Sequence, residues 1–491
     1  MKRRATHTPI TPPLEPHAET PLYRQVYEGL RQAMLEGRLR SGEPLPSTRT
    51  LARDLGVSRN TVLLAFDQLG AEGYIEGAAR SATRVSHHMP NELSAPRDNT
   101  QQRTPSKRNL RLRRPTGQPR EPGPARQSWA FAVGVPALDA FPRETWARLL
   151  VRRARRFSAI NMHYQQPRGF PALREAIAVY LGATRGLRCS PEQVIVTSGS
   201  QQALDLAARV LLDPGERVWL EEPGYIGAQR ALLGAGLEIV PVPVDMEGIQ
   251  VSLGVRRAPD ARLVYVTPSH QFPLGYTLSL PRRLALLEWA RSTDAWVLED
   301  DYDSEFRYTG RPLTSLAGLD RDGRVIYVGT FSKVMFPGLR LGYLVVPPDL
   351  VESFALALLA SSTHAPMLEQ AALTDFITEG HFTRHIKTMR ALYAERRSRL
   401  LELARAELGG LLELEPSEAG MHLVGWLPDG TNELEASRAA HRAGVLHEPV
   451  SAFCLEPFSR AGLMLGYAAV TDDAMRNGVR QLMHVLRDET P

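Results

Sequence analysis

Cysteine is nearly absent from these 491 residues, with Cys189 and Cys454 far apart in sequence. Two such thiols give neither a disulfide framework nor a zinc site, and no metal centre is expected. Long apolar runs are missing too. The best, around Ala355–Ala360, falls well short of the roughly 18 residues that a spanning helix needs, so no membrane segment is expected. After the basic start Met1–Arg4, Pro9, Pro12, Pro13 and Pro16 stand where a signal peptide carries its apolar core. The expected compartment is the cytoplasm. What remains is ample for folding: 43% of residues are apolar and 23% charged. The length exceeds what a single core sustains, so two or more domains are expected.

The net charge of +5 hides an asymmetry. Residues 1–126 carry 21 Lys and Arg against 12 Asp and Glu, whereas the rest is mildly acidic. A basic head on an acidic body suggests that the head alone meets a polyanion.

Beyond an N-terminal arm (1–20) expected to be disordered, Leu22, Val26, Leu30, Ala33 and Met34 recur at helical spacing over 21–40. Ser47 and Ser58 each cap a further short helix, the first stopped by Gly56 and the second by Gly70. Tyr74-Ile75-Glu76 and Thr83-Arg84-Val85 read as a two-stranded wing. From 87 to 128, seven prolines and eight arginines with few large apolar residues mark a linker. Residues 129–491 alternate short apolar strands with helices. The strands are read at Val194–Thr197, Arg217–Leu220, Glu238–Val242, Arg262–Thr267, Ala295–Leu298, Val325–Val328 and Gly342–Val346. A mostly parallel, helix-covered sheet follows from that pattern. After about Val351, long helices (Phe376–Leu408) and a few strands suggest a smaller α+β lobe.

In the head, Ser58, Arg59, Asn60 and Thr61 open the third helix. There, backbone N–H groups suit phosphate, while Arg and Asn suit base edges in a major groove. Ser47, Thr48 and Arg49 open the preceding helix and suit phosphate. A small helical domain with ordinary caps fits the same residues. Residues 21–86, through Leu45-Pro46-Ser47-Thr48-Arg49-Thr50-Leu51-Ala52 and Val57-Ser58-Arg59-Asn60-Thr61-Val62, closely resemble the winged helix-turn-helix of GntR-type transcription regulators. That resemblance implies binding to double-stranded operator DNA. The wing tip, Ala78 to Val85, departs from the family's Gly-rich form, leaving Arg80 and Arg84 as its candidate contacts.

In the body, four features together suit pyridoxal phosphate: a Schiff-base lysine, a carboxylate for the pyridine nitrogen, phosphate donors and an aromatic face. Lys333 follows a strand in Gly329-Thr330-Phe331-Ser332-Lys333. Asp300 and Tyr302 follow another, Ser198-Gly199-Ser200-Gln201 is a strand-to-helix turn, and Arg340 comes soon after Lys333. Each alone is commonplace; their order along an alternating α/β chain is not. The body resembles the fold-type I aminotransferases, most specifically in Glu299 to Tyr308, Thr330-Phe331-Ser332-Lys333 and Pro337 to Tyr343. The whole chain resembles the MocR-type subfamily of GntR regulators. By that resemblance, Lys333 holds pyridoxal 5'-phosphate as a Schiff base, Asp300 pairs with the pyridinium nitrogen, Tyr302 bonds the ring hydroxyl and Tyr225 stacks on the ring. Ser200, Gln201, Thr330, Ser332 and Arg340 hold the phosphate, and Tyr164 is lent across a homodimer interface.

Two departures stand out. Phe272 in Pro268-Ser269-His270-Gln271-Phe272-Pro273-Leu274-Gly275 replaces an Asn that bonds the ring hydroxyl in aminotransferases. Met464 in Met464-Leu465-Gly466-Tyr467-Ala468 replaces the Arg that clamps a substrate carboxylate through a bidentate pair. The resemblance therefore implies a regulator sensing the cofactor, or an amine or vitamer exchanged at Lys333. The alternative is a working aminotransferase that carries a DNA-binding domain.

Overall fold

Ser47 and Ser58 start their helices in the same way. The Ser47 hydroxyl accepts the Thr50 N–H at 3.2 Å, and the Ser58 hydroxyl accepts the Thr61 N–H at 3.1 Å. These caps place α2 (Thr48–Leu55) and α3 (Arg59–Ala71) after α1 (Leu22–Leu35). Helix α1 is shorter than the sequence pattern suggests, because the chain leaves it at Glu36 and Gly37 adopts φ +71°. Gly56 ends α2 in the left-handed region that favours glycine. Val26, Leu30 and Ala33 of α1 pack with Val62, Ala65 and Leu69 of α3 in a closed core. The wing is β1 (Ile75–Glu76) antiparallel to β2 (Arg84–Val85).

The structure, a computed structural model, describes residues 20–77, 82–87, 130–158, 162–310 and 313–489, with Leu14, Glu15, Ala18 and Ser106. Arg80, most of the arm and nearly all of 87–128 lie outside the described residues. Two compact units are present, divided between Thr104 and Pro105, inside the stretch read as a linker.

The larger unit is built on eight strands in the order β3-β10-β9-β8-β7-β4-β5-β6. They are β3 (Val194–Thr197), β4 (Arg217–Glu222), β5 (Glu238–Asp245), β6 (Gly248–Ile249), β7 (Leu263–Val266), β8 (Trp296–Asp301), β9 (Val325–Thr330) and β10 (Gly342–Val345). Neighbours from β5 through β4, β7 and β8 to β9 are parallel, while β10 runs antiparallel between β9 and β3. Every residue of β3, β7, β9 and β10 is buried. That burial on both faces explains their unbroken apolar spelling. Helices α4 (Pro171–Arg185), α5 (Ser200–Leu211), α6 (Ile226–Ala235) and α7 (Leu280–Thr293) belong to this lobe. On one face Trp219 of β4 stacks on Trp289 of α7, with ring centroids 3.9 Å apart.

The stretch expected as one long helix, Phe376–Leu408, is two. Gly380, at φ +76°, separates α8 (Met367–Thr378) from α9 (His381–Glu407). The smaller lobe's antiparallel sheet has the order β11-β12-β14-β13, comprising Glu413–Leu414, His422–Trp426, Gly462–Gly466 and Glu448–Pro449.

Strand β8 runs further than its apolar part, to Asp301, because both terminal carboxylates have partners. Arg185 donates to Asp301 at 2.6 Å and to Glu305 at 2.7 Å, and Tyr327 and Ser304 also bond Asp301. Burial pushes the Asp301 carboxyl up, but Arg185 and those hydroxyls outweigh it and hold it below the usual range. Arg185→Met strands two buried carboxylates and is expected to destabilise the protein by about 3–5 kcal/mol, measured as a lower denaturant midpoint.

Candidate functional site

Parallel strands end together, and the ends of β3, β4, β7, β8 and β9 open onto one cavity of about 680 Å³. It is lined by Ser200 and Gln201 after β3, Tyr225 after β4, Thr267 after β7, Asp300 at the end of β8 with Tyr302 just after it, and Thr330 at the end of β9 with Ser332 and Lys333 just after it. Arg340 also lines it. Sequence-distant residues singled out for one chemistry thus meet in one place.

The Lys333 ammonium donates to the Gly134 carbonyl at 2.8 Å. Burial lowers its pKa, opposed by Asp303 and Asp300. Gly134, at φ +72°, leaves the lysine its room, since a Cβ there would stand 2.6 Å from Nζ. Asp300 accepts from the Tyr265 hydroxyl at 2.9 Å through Oδ2, while its buried Oδ1 has no partner. Burial raises its pKa to about 7, with Tyr265 and Lys333 pulling down. A buried carboxylate oxygen without a partner, on a residue that lines the cavity, is suited to a charged N–H donor.

At the other side of the cavity, α5 begins at Ser200 without any side chain capping its N-terminus. Its free N–H groups, with the Arg340 guanidinium, suit a dianion. Gly199 has φ +106°, and a Cβ there would stand 3.4 Å from that guanidinium. The Gln201 amide donates instead to the Gly227 carbonyl at 2.8 Å, and the Thr330 hydroxyl accepts the Ser332 N–H at 3.2 Å. Tyr225 meets Phe272 edge to face, with ring centroids 5.7 Å apart.

Tyr302 Oη lies 2.9 Å from His270 Nδ1, which also lies 3.0 Å from Asp303. His270 therefore orients this tyrosine, and Gln271 turns away to the Pro223 carbonyl at 2.9 Å. Tyr164 is outside the cavity and 78% exposed. Tyr265, Gly134 and Asp303 were not singled out by the sequence. Tyr265 is spelled as one more apolar strand residue, and a glycine 199 positions before its lysine gives no signal.

Met464 is fully buried on β14, in a cluster with Leu274, Val424, Trp426 and Val450 beside Phe272. Arg460 does not replace the absent arginine. It bonds Glu415 at 3.2 Å and lies over the Trp426 ring, and it does not line the cavity.

In the N-terminal unit, Arg49, Arg59 and Asn60 are exposed at the starts of α2 and α3. The hydroxyls of Ser47, Ser58 and Thr61 are committed to the caps, since Thr61 Oγ1 lies 2.8 Å from Ser58 Oγ. Thr48 accepts from Arg59 at 3.5 Å, and exposed Arg84 donates to the Gly42 carbonyl at 3.0 Å.

Residues 22–85 match the bacterial regulatory proteins of the gntR family, and residues 131–482 match the aminotransferase class I and II family. The chain is 44% identical over 471 residues to the probable rhizopine catabolism regulatory protein MocR of Rhizobium meliloti, covering 96% of this chain and 94% of that one. It is a MocR-type member of the GntR transcriptional regulators. Another relative is the pyridoxine biosynthesis transcriptional regulator PdxR of Corynebacterium glutamicum, 33% identical, with 94% of this chain and 95% of that one covered. The MocR-type body also superposes on kynurenine aminotransferase of Pyrococcus horikoshii with a TM-score of 0.69 and 31% identity. That match covers 75% of this chain and 92% of the enzyme. The regulator is therefore a GntR helix-turn-helix joined to an aminotransferase-fold body, and among its described residues no helix is long and apolar enough to cross a membrane.

Proposed function

We propose that this regulator binds operator DNA as a homodimer and that its body holds pyridoxal phosphate, through which an amine or vitamer changes DNA binding. One observation carries the reading. The Lys333 ammonium, the partnerless Asp300 oxygen and the uncapped start of α5 beside Arg340 all line one cavity in a chain headed by a GntR domain. Bound pyridoxal phosphate supplies an aldehyde that condenses reversibly with primary amines. Lys333 provides the resident amine, and its lowered pKa favours the neutral, nucleophilic form. Asp300 holds the proton on the pyridine nitrogen, Tyr302 bonds the ring hydroxyl and Tyr225 covers a ring face. Ser200, Gln201, Thr330, Ser332 and Arg340 surround the phosphate. Tyr164, exposed on the free protomer, reaches a second copy's phosphate.

In the head, Arg59 and Asn60 read bases from the start of α3, and Arg49 and Thr48 hold phosphate. Ser47, Ser58 and Thr61 present the capped helix starts to the backbone, and Arg84 and Arg80 serve the wing.

The test is an absorbance spectrum of the purified chain with pyridoxal phosphate, before and after borohydride, beside Lys333→Ala. A visible band bleached by borohydride in the native chain and missing from the variant is expected. DNA affinity that shifts with cofactor only in the native chain completes the reading. A chain that takes up no cofactor, or one that turns over an amino donor and keto acceptor continuously, overturns it.

A further inference from the structure

The His270 imidazole is 2% exposed, and two glycines from other parts of the chain leave it room. Gly420 has φ +93° and Gly275 has φ +80°; a Cβ would stand 2.6 Å from Nε2 at the first and 3.1 Å at the second. Nε2 faces Ser417 Oγ at a long 3.5 Å. The short contacts are both at Nδ1, with Tyr302 Oη at 2.9 Å and Asp303 Oδ2 at 3.0 Å.

These two contacts fix where the protons lie. A carboxylate only accepts, so Nδ1 carries the proton that joins His270 to Asp303. The same N–H faces the Tyr302 oxygen, which accepts from it. Burial, then Asp303 and Asp300, pushes the Tyr302 hydroxyl well above its usual range, so it keeps its own proton. Two protons do not fit between one nitrogen and one oxygen at hydrogen-bond distance. The Tyr302 O–H is therefore left to donate into the cavity that Tyr302 lines. Phe272, with its ring centroid 6.0 Å from that of Tyr302, has nothing to donate there. His422 is the other imidazole nearby, with ring centroids 5.3 Å apart. Its Nε2 donates to the Pro273 carbonyl at 2.9 Å, and burial pushes its pKa down to about 3, so it stays neutral.

We propose that His270 is a positioning residue that, held by Asp303, turns the Tyr302 O–H onto the ring oxygen of the cofactor. The proposal rests on the pyridoxal phosphate reading above. It gives one histidine control over how firmly a proton is held at the Lys333 nitrogen. A donor at the ring oxygen draws off negative charge that otherwise retains that proton.

The test is the pH midpoint of the visible band, read by absorbance on full-length variants loaded with pyridoxal phosphate. Burial lowers the Lys333 pKa and Asp303 opposes it, so Asp303 is kept in every variant. Tyr302→Phe is expected to raise the midpoint by about one unit, as for a lost bond to a charged group. His270→Leu should raise it by a similar amount. The double variant should go no further than Tyr302→Phe alone, because His270 acts through that hydroxyl. His270→Asn, whose amide N–H takes the place of Nδ1, should return the midpoint towards the native one. If His270→Leu does not fold, His270→Gln, with its amide at the place of Nε2, stands in for it. An unchanged or lower midpoint in that variant overturns the proposal, as does a His270→Asn chain no different from it. A His270 effect that persists in full beside Tyr302→Phe overturns it too, since the imidazole would then act on Lys333 directly. An unchanged midpoint in Tyr302→Phe removes the ring hydroxyl from Tyr302 and the proposal with it. A chain that never gains the borohydride-sensitive band instead overturns the cofactor reading, on which this one stands.

Discussion

Asp300→Ala is expected to weaken pyridoxal phosphate binding by roughly 10- to 100-fold. The lost contact is a hydrogen bond between a buried carboxylate and a cationic ring N–H, a class contributing about 1.5–3 kcal/mol. The expectation is this large because Asp300 is already held. Tyr265 fixes one oxygen, and the other is buried without a partner, so little reorganisation is needed on binding. Tyr265→Phe, which leaves the carboxylate in place, should cost less. Equilibrium dialysis of the two variants beside the native chain measures both losses. Unchanged affinity in Asp300→Ala would place the ring nitrogen elsewhere.

The same carboxyl gives affinity a pH dependence. Burial raises it to about 7 in the empty site, yet the cofactor wants it ionised. Affinity should therefore fall as pH drops below about 7, approaching tenfold per unit, and level off above it. Stability of the empty protein moves the other way. A carboxyl whose folded pKa lies above its unfolded value favours the fold when protonated. That contribution is full at acid pH and is lost as pH rises to about 7. Saturating cofactor should flatten this slope, which melting curves across pH can show.

Arg59→Ala is expected to lower affinity for DNA by about 10- to 100-fold, the usual loss of a good base-edge contact at about 1–3 kcal/mol. Arg59 stands exposed in the first helical position of α3, which the Ser58 cap fixes in space. Arg49→Ala should cost less and act evenly across sequences, reducing the salt dependence by about one phosphate contact. A DNA fragment selected by the native chain from random sequence, followed by anisotropy at two salt concentrations, separates the two roles. A uniform loss for Arg59→Ala across sequences would make it another phosphate contact.

Much of this was legible beforehand because the relevant physics is local. A serine before a helical run places a cap, and Ser47 and Ser58 do that here. Fully buried strands spell themselves in apolar letters, as β3 and β9 do. Lys333, Asp300 and Tyr302 came into view through their position at strand ends. What the sequence did not show depends on contacts made across the chain. The far end of β8 is polar because Arg185, 116 residues earlier, answers Asp301. The interruption at Gly380 is a single backbone angle in a pattern whose apolar spacing continues past it. The Gln201 amide donates to the Gly227 carbonyl on another loop, a contact that no local pattern spells.

Asp300 and Asp301 are consecutive on one pleated strand and serve opposite sides of it, the cavity and the Arg185 cluster. This makes the number of residues leading up to them as constrained as their identity. One residue added or removed between Trp296 and Asp300 inverts the parity of the strand, turning the ligand-facing carboxylate toward the ion-pair cluster and its neighbour toward the ligand. Two residues restore parity but carry both acids about 7 Å along the strand, beyond reach of Tyr265 and Arg185 alike. Variation in this stretch is therefore confined to exchanging side chains at fixed length, whereas insertions and deletions are expected to accumulate in the loops that join the strands.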